Sequence, residues 1–123
     1  MNRHNTFPLS GITVVEFGGL APGPFTGMVL ADWGANVIRI DKPLDDTASS
    51  KIPRDVLARG KRSIAIDPRV PSGLAVVKEL VRKADVVIDP FRPGVMERLG
   101  LGPDVFLGSS GSNERLVYAR LVG

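Results

Sequence analysis

The residues able to do chemistry gather at a few places, and the first is "FGGLAPGPFTG", Phe17 to Gly27. Glycines and prolines follow an apolar run there, which invites a dinucleotide-binding reading. Asp41 closes the next apolar run, about 20 residues on, where a ribose-binding acid would stand. The spacing argues otherwise. The fingerprint requires G-x-G-x-x-G, and no register of Gly18, Gly19, Leu20, Ala21, Pro22 and Gly23 supplies it. Pro22 and Pro24 also lack the backbone N–H groups that a phosphate would need at that point. A strand-terminal Asp41 bonding its own neighbourhood is the simpler expectation.

The second place is "RGKRS", Arg59 to Ser63, which has a Gly-Lys step without the flanking residues of a phosphate-binding loop. Arg54, Arg59, Lys61, Arg62 and Arg69 cluster around it. They are expected to form a solvated loop, with phosphate capture by guanidinium forks as the functional rival. The third is Phe91–Arg92, set between Pro90 and Pro93 with Arg98 following. Phe91 is expected in the core, although a Phe–Arg pair at a rigid corner could clamp a planar base. Acid–base candidates are few. Glu16 lies inside a strand and Asp32 inside a helix, neither with an evident partner, and no catalytic dyad can be assembled.

Composition narrows the field further. The chain has 123 residues, a net charge of +3 and no cysteine, so thiolate chemistry and disulfides are excluded. Its only histidine is His4, in a polar N-terminal stretch. Nothing approaches the ~20 apolar residues of a membrane span, and "MNRHNTFPLSG" has no signal-peptide apolar core. The basic residues are not interleaved with aromatics, so an anionic small ligand suits the charge better than nucleic acid.

The positioning elements follow from periodicity. Ile12–Phe17, Val37–Ile40, Ser63–Asp67, Val86–Asp89 and "RLVYARLVG" (115–123) read as strands. A helix opened by Pro24 carries Phe25, Met28, Val29, Leu30 and Trp33 as its expected core stripe and ends at Gly34. A second, opened by Pro71, carries Leu74, Val77, Leu80, Val81 and Ala84. A polar loop is expected from Lys42 to about Lys61, a short helix near Val95–Leu99, and a Gly/Ser-rich loop beyond it. Alternating strands and helices predict an α/β fold with a mainly parallel sheet, whose ligands bind outside the carboxyl ends of the strands. Those ends are Gly18–Gly23, Asp41–Lys42, Asp67–Arg69, Asp89–Arg92 and 120–123. A sheet of this kind is expected to continue beyond residue 123, so the chain reads as an N-terminal part of something longer.

Four segments together resemble a known family. "LSGITVVEFGGLAPGPFTGMVLADWGANVIRIDKP", "RGKRSIAIDPR", "KADVVIDPFRPGVMERLGLGP" and "RLVYARLVG" are similar to the N-terminal third of the class III CoA-transferase family. The resemblance implies a polar tail over residues 1–8 and a partial Rossmann-like, CoA-binding domain over 9–123. It implies an acyl-CoA thioester as ligand, coenzyme A entering as part of the substrate and not as a separate cofactor. It also implies an interlocked homodimer for the full-length protein. No metal, nucleic-acid or membrane partner is implied. By position, Ile66, Asp67, Pro68 and Arg69 would approach the adenine and phosphates, Lys42, Phe91, Arg92 and Arg98 would contact CoA, and Ala21–Pro22 would face the thioester. Lys42 stands where the family usually has Arg, and Arg69 where Lys is common. The family's racemase branch exchanges the proton α to the thioester carbonyl through an enolate, using a His and an Asp. Its transferase branch uses an Asp nucleophile. Both sets lie downstream of Gly123 in the family, so this chain is expected to bind without catalysing. A stand-alone CoA-binding module is the non-enzymatic alternative. Relatives of this kind are cytoplasmic in bacteria and peroxisomal or mitochondrial in eukaryotes; secretion is not expected.

Overall fold

Strand signals at β-branched runs and helix signals at Pro-opened segments resolve into one α/β layer structure. The computed structural model describes residues 7–19, 22–43 and 58–121. The order is β1 (Thr13–Phe17), α1 (Gly23–Asp32), β2 (Asn36–Asp41), β3 (Lys61–Ala65), α2 (Pro71–Arg82), β4 (Val86–Asp89), α3 (Val95–Arg98), α4 (Pro103–Phe106) and β5 (Val117–Arg120). The five strands pair in the order β3-β2-β1-β4-β5, all parallel. This is the Rossmann order, with β1 central and the strand order reversing between β1 and β4.

Alternation along the strands divides the core. Val15, Phe17, Ile40 and Val87 face one side, with Val77 and Val81 of α2, Met96 of α3 and Phe106 of α4. Val14, Val37 and Ile88 face the other, against Leu30 and Ala31 of α1. Helix α2 packs as its periodicity predicts, burying Val77 and Val81, with Ala84 buried just beyond its end. Gly34 also behaves as expected. Its φ of 105° closes α1 with Gly34 N–H on Ala31 O and Ala35 N–H on Leu30 O, both at 3.0 Å.

Several expectations need correction. In α1 the buried residues are Gly23, Pro24 and Gly27. Phe25 and Trp33, assigned to the core stripe, are 52% and 55% exposed. The helix is apolar on nearly all sides, so periodicity could not choose its inner face. Strand β3 begins at Lys61 and ends at Ala65, two residues earlier than the apolar run suggests. It is an edge strand with mostly exposed side chains, so pairing to β2 from Val37↔Lys61 to Asp41↔Ala65 sets its limits, not burial. The Gly/Ser-rich loop contains α4, anchored by Phe106 at 1% exposure, and the last strand is confined to Val117–Arg120. His4, Arg54, Ala21 and residues 122–123 lie outside the described residues.

Candidate functional site

Parallel strands deliver their carboxyl ends to one edge, and a cleft of about 280 Å³ opens there over β1, β2 and β3. Its apolar floor includes Phe17, Ile40, Val95 and Leu99. Of the residues singled out from sequence, Lys42, Ile66, Asp67, Pro68, Arg69 and Phe91 line this one cleft. Asp41 and Gly18 line it as well. Pro22 is exposed at the N-terminal end of α1, and Arg92 and Arg98 are exposed; none of the three lines the cleft. The structure therefore brings together basic and apolar candidates that run from Lys42 to Phe91 in the sequence.

Two local devices shape the mouth and wall. At the mouth, Asp67 Oδ1 accepts from Arg69 N–H at 2.9 Å and from Arg69 Nε at 3.1 Å. The Arg69 side-chain hydrogen bond, then its backbone N–H, holds the Asp67 carboxyl below its ordinary range. Asp67 raises the Arg69 pKa in return, first by that hydrogen bond and then by its charge. Arg69 Nη2 also donates to Asp67 Oδ2 at 3.3 Å, so the Nε–Nη2 edge of the guanidinium is held by Asp67 while the side chain stays 72% exposed to solvent. In the wall, the Phe91 ring meets Phe17 edge-on, with centroids 6.1 Å apart. The backbone N–H of Phe91 donates to Asp89 Oδ1 at 2.9 Å.

Asp89 is itself buried, and burial pushes its pKa up against the Phe91 hydrogen bond and the Arg120 charge. Arg120 lies 3.6 Å from Asp89 Oδ2 and 2.7 Å from Glu97 Oε1, with its guanidinium over the Tyr118 ring. Tyr118 donates to Leu101 O at 2.6 Å, and burial pushes its pKa up to about 12. The Phe91 corner therefore rests on a buried carboxylate backed by a cation. Sequence reasoning did not connect these residues, because their partnership crosses β4, α3 and β5.

The opposite face of the sheet holds a second polar group that sequence reasoning missed. Glu16 Oε1 lies 2.7 Å from Lys61 Nζ, both side chains almost fully buried. Lys61 Nζ also donates to Pro24 O at 2.8 Å. Burial raises the Glu16 pKa, opposed first by Lys61 and then by Arg39. Lys61, expected in a solvated loop, is thus a buried counter-ion, and Glu16 has a partner after all. A Cβ on Gly27 would overlap Glu16 Oε1, so glycine lets α1 lie close above the pair. Cβ atoms on Gly19 and Gly23 would come within 3.0 and 2.9 Å of Pro90 side-chain atoms. The glycines of the β1–α1 segment therefore serve close packing. Asp32 also gains a partner, Arg59, at 2.6 Å.

The arrangement offers cations at the mouth and no exposed acid–base pair on the floor, a chemistry suited to an anion. Lys42 and Arg69 stand above an apolar floor, while Glu16 is sealed beneath α1. Among the described residues no cluster could hold a metal ion, and no helix is long and apolar enough to cross a membrane.

Comparison with known proteins bears on the family and the fold. A model of CoA-transferase family III matches residues 9–123. The chain is 50% identical over 115 residues to alpha-methylacyl-CoA racemase of Homo sapiens, covering 94% of this chain and 28% of that protein. It is 43% identical over 105 residues to succinyl-CoA–D-citramalate CoA-transferase of Chloroflexus aurantiacus, covering 77% and 26%. A crystal structure of a CaiB/BaiF family protein from Brucella suis superposes with a TM-score of 0.76 at 36% identity, over 94% of this chain and 33% of that one. The chain thus spans between a quarter and a third of the length of these relatives.

Proposed function

The chain belongs to CoA-transferase family III, and on that premise we propose that its cleft binds the nucleotide end of an acyl-CoA thioester. The observation that carries the reading is the convergence of Lys42, Ile66, Asp67, Pro68, Arg69 and Phe91 on one cleft at the strand ends. Lys42 meets the phosphates as a point charge, and Arg69 through the guanidinium N–H groups that Asp67 leaves open. Ile66 to Pro68 lie along the adenine, with Phe91 as an apolar wall. Arg92 and Arg98, exposed and outside the cleft lining, extend the basic surface toward the diphosphate. Pro22, at the start of α1, faces the pantetheine and the thioester in this reading.

The acyl group is a 2-methylacyl chain in this reading, and the reaction served is exchange of its α-proton through an enolate. The racemase likeness at 50% identity supports that branch. A second reading, CoA transfer of the formyl-CoA type, draws support from the transferase relative at 43% identity. In either reading these 123 residues contribute ligand binding, the proton-transfer or nucleophilic groups belong to a longer polypeptide, and that polypeptide forms an interlocked homodimer.

Calorimetric titration of the purified chain with CoA tests the proposal. Saturable binding is expected, weakened about tenfold by Arg69→Ala through loss of a charge-assisted phosphate contact. Phe91→Ala should weaken it as well. NAD should bind poorly. Absence of saturable CoA binding, or tighter binding of NAD than of CoA, overturns the reading. No deuterium should enter 2-methylacyl-CoA from heavy water; incorporation would show that the chain catalyses unaided.

A further inference from the structure

We propose that Arg39 acts as a specificity-determining residue of the cleft by neutralising Asp41, so that a 3′-phosphorylated adenosine is accepted there. The inference rests on the CoA reading above and concerns how the site distinguishes nucleotides. Asp41 occupies the carboxyl end of β2, the position from which a dinucleotide-binding domain offers an acid to the ribose hydroxyls. It does line the cleft, beside Lys42. A bare carboxylate at that point would attract a ribose hydroxyl and repel a phosphate on the same sugar.

Asp41 is not bare. Arg39 Nε donates to Asp41 Oδ2 at 3.0 Å, and the Arg39 side chain is only 16% exposed. Residues 39 and 41 share a face of β2, and in the parallel ladder Arg39 pairs with Glu16 of β1. Lys61 of β3 holds Glu16 from the other side. Two acids and two bases thus alternate on the α1 face of the sheet, and the alternation ends at the cleft. Arg39 sets its charge against Asp41 as Arg69 does against Asp67, leaving Lys42 to set the sign of the potential at the mouth. Because Arg39 is largely buried, its charge is screened less by solvent than that of an exposed side chain.

The test compares CoA with dephospho-CoA, which lacks only the 3′-phosphate, by calorimetry on the parent chain and three variants. Arg39→Met should weaken CoA about tenfold and dephospho-CoA less than about threefold. Asp41→Asn, which keeps Arg39, should leave CoA affinity unchanged or improved. The double variant Arg39→Met/Asp41→Asn should bind CoA within about threefold of the parent, since the charge needing cancellation is gone. Equal losses of both ligands in Arg39→Met, or no recovery in the double variant, would mean that Arg39 is only structural and would overturn the inference. A large loss of CoA affinity in Asp41→Asn would make Asp41 a ligand acceptor and would overturn it equally. If the parent binds neither ligand, the CoA reading fails and this inference with it; if it binds both, only the variants decide.

Discussion

Removing Lys61 should expose the cost of the buried carboxylate beneath α1. Lys61→Met keeps the length and most of the volume of the side chain while deleting its charge. Glu16 would then sit at 0% exposure without its 2.7 Å counter-ion. Breaking one side of a buried pair typically costs about 3–5 kcal/mol, because the remaining charge is desolvated and uncompensated. Against a total stability of roughly 10 kcal/mol for a domain of this size, that is a third to a half of the whole. Pro24 O loses a donor too, but as a helix carbonyl it is not left orphaned. The loss should depend on pH. Burial already raises the Glu16 pKa above its ordinary 4.5, and Lys61 is the largest opposing influence. Without Lys61 the folded-state value rises further, so the native protein binds more protons than the unfolded chain between the two values. Stability then falls as pH rises through that window, and the deficit is largest above it. Urea denaturation of parent and variant at pH 5 and pH 8 measures both effects, and other acids largely cancel in the difference. The double variant Glu16→Gln/Lys61→Met should recover much of the loss. A deficit below about 1 kcal/mol at pH 8, in the range of an exposed pair, or an equal deficit at both pH values, would refute the reasoning.

Two further changes test the packing. Asn113 Nδ2 donates to Val81 O at 2.9 Å and Ala84 O at 2.7 Å, capping the end of α2; Asn113→Ala should destabilise by about 1–3 kcal/mol, visible as a lowered thermal midpoint. Gly27→Ala would ordinarily stabilise a helix by up to about 1 kcal/mol, but here the new Cβ meets Glu16 and comes within 3.3 Å of Lys61 Cε. A net loss of about 2 kcal/mol is expected from the overpacking, and a stabilised variant in the same melt would contradict the close approach of α1.

Much of this protein was legible in its residues because the signals were local. The β-branched runs located β1, β2 and β4, and Pro71 with the 3.6-residue spacing of Leu74, Val77 and Val81 placed α2 and its buried face. Pro22, Pro24 and the glycine spacing were enough to discount a dinucleotide loop, and four quoted segments carried the family resemblance. Helix α1 escaped this logic because it is apolar nearly all round, leaving the sheet to choose the Gly23–Gly27 face. Strand β3 escaped it because an edge strand needs no apolar run.

The charged residues divide in the same way. Local sequence determined the fold class, the strand ends and the types of residue available there, because each depends on neighbours a few positions apart. Tertiary structure alone decided which of them act together. Lys61 reads as one more cation of a basic loop until β3 pairs with β2 and carries it beneath α1 to Glu16. Glu16 reads as a strand acid without a partner until that pairing brings Lys61 against it. These outcomes depend on burial and on cross-strand register, and neither exists until the chain has folded.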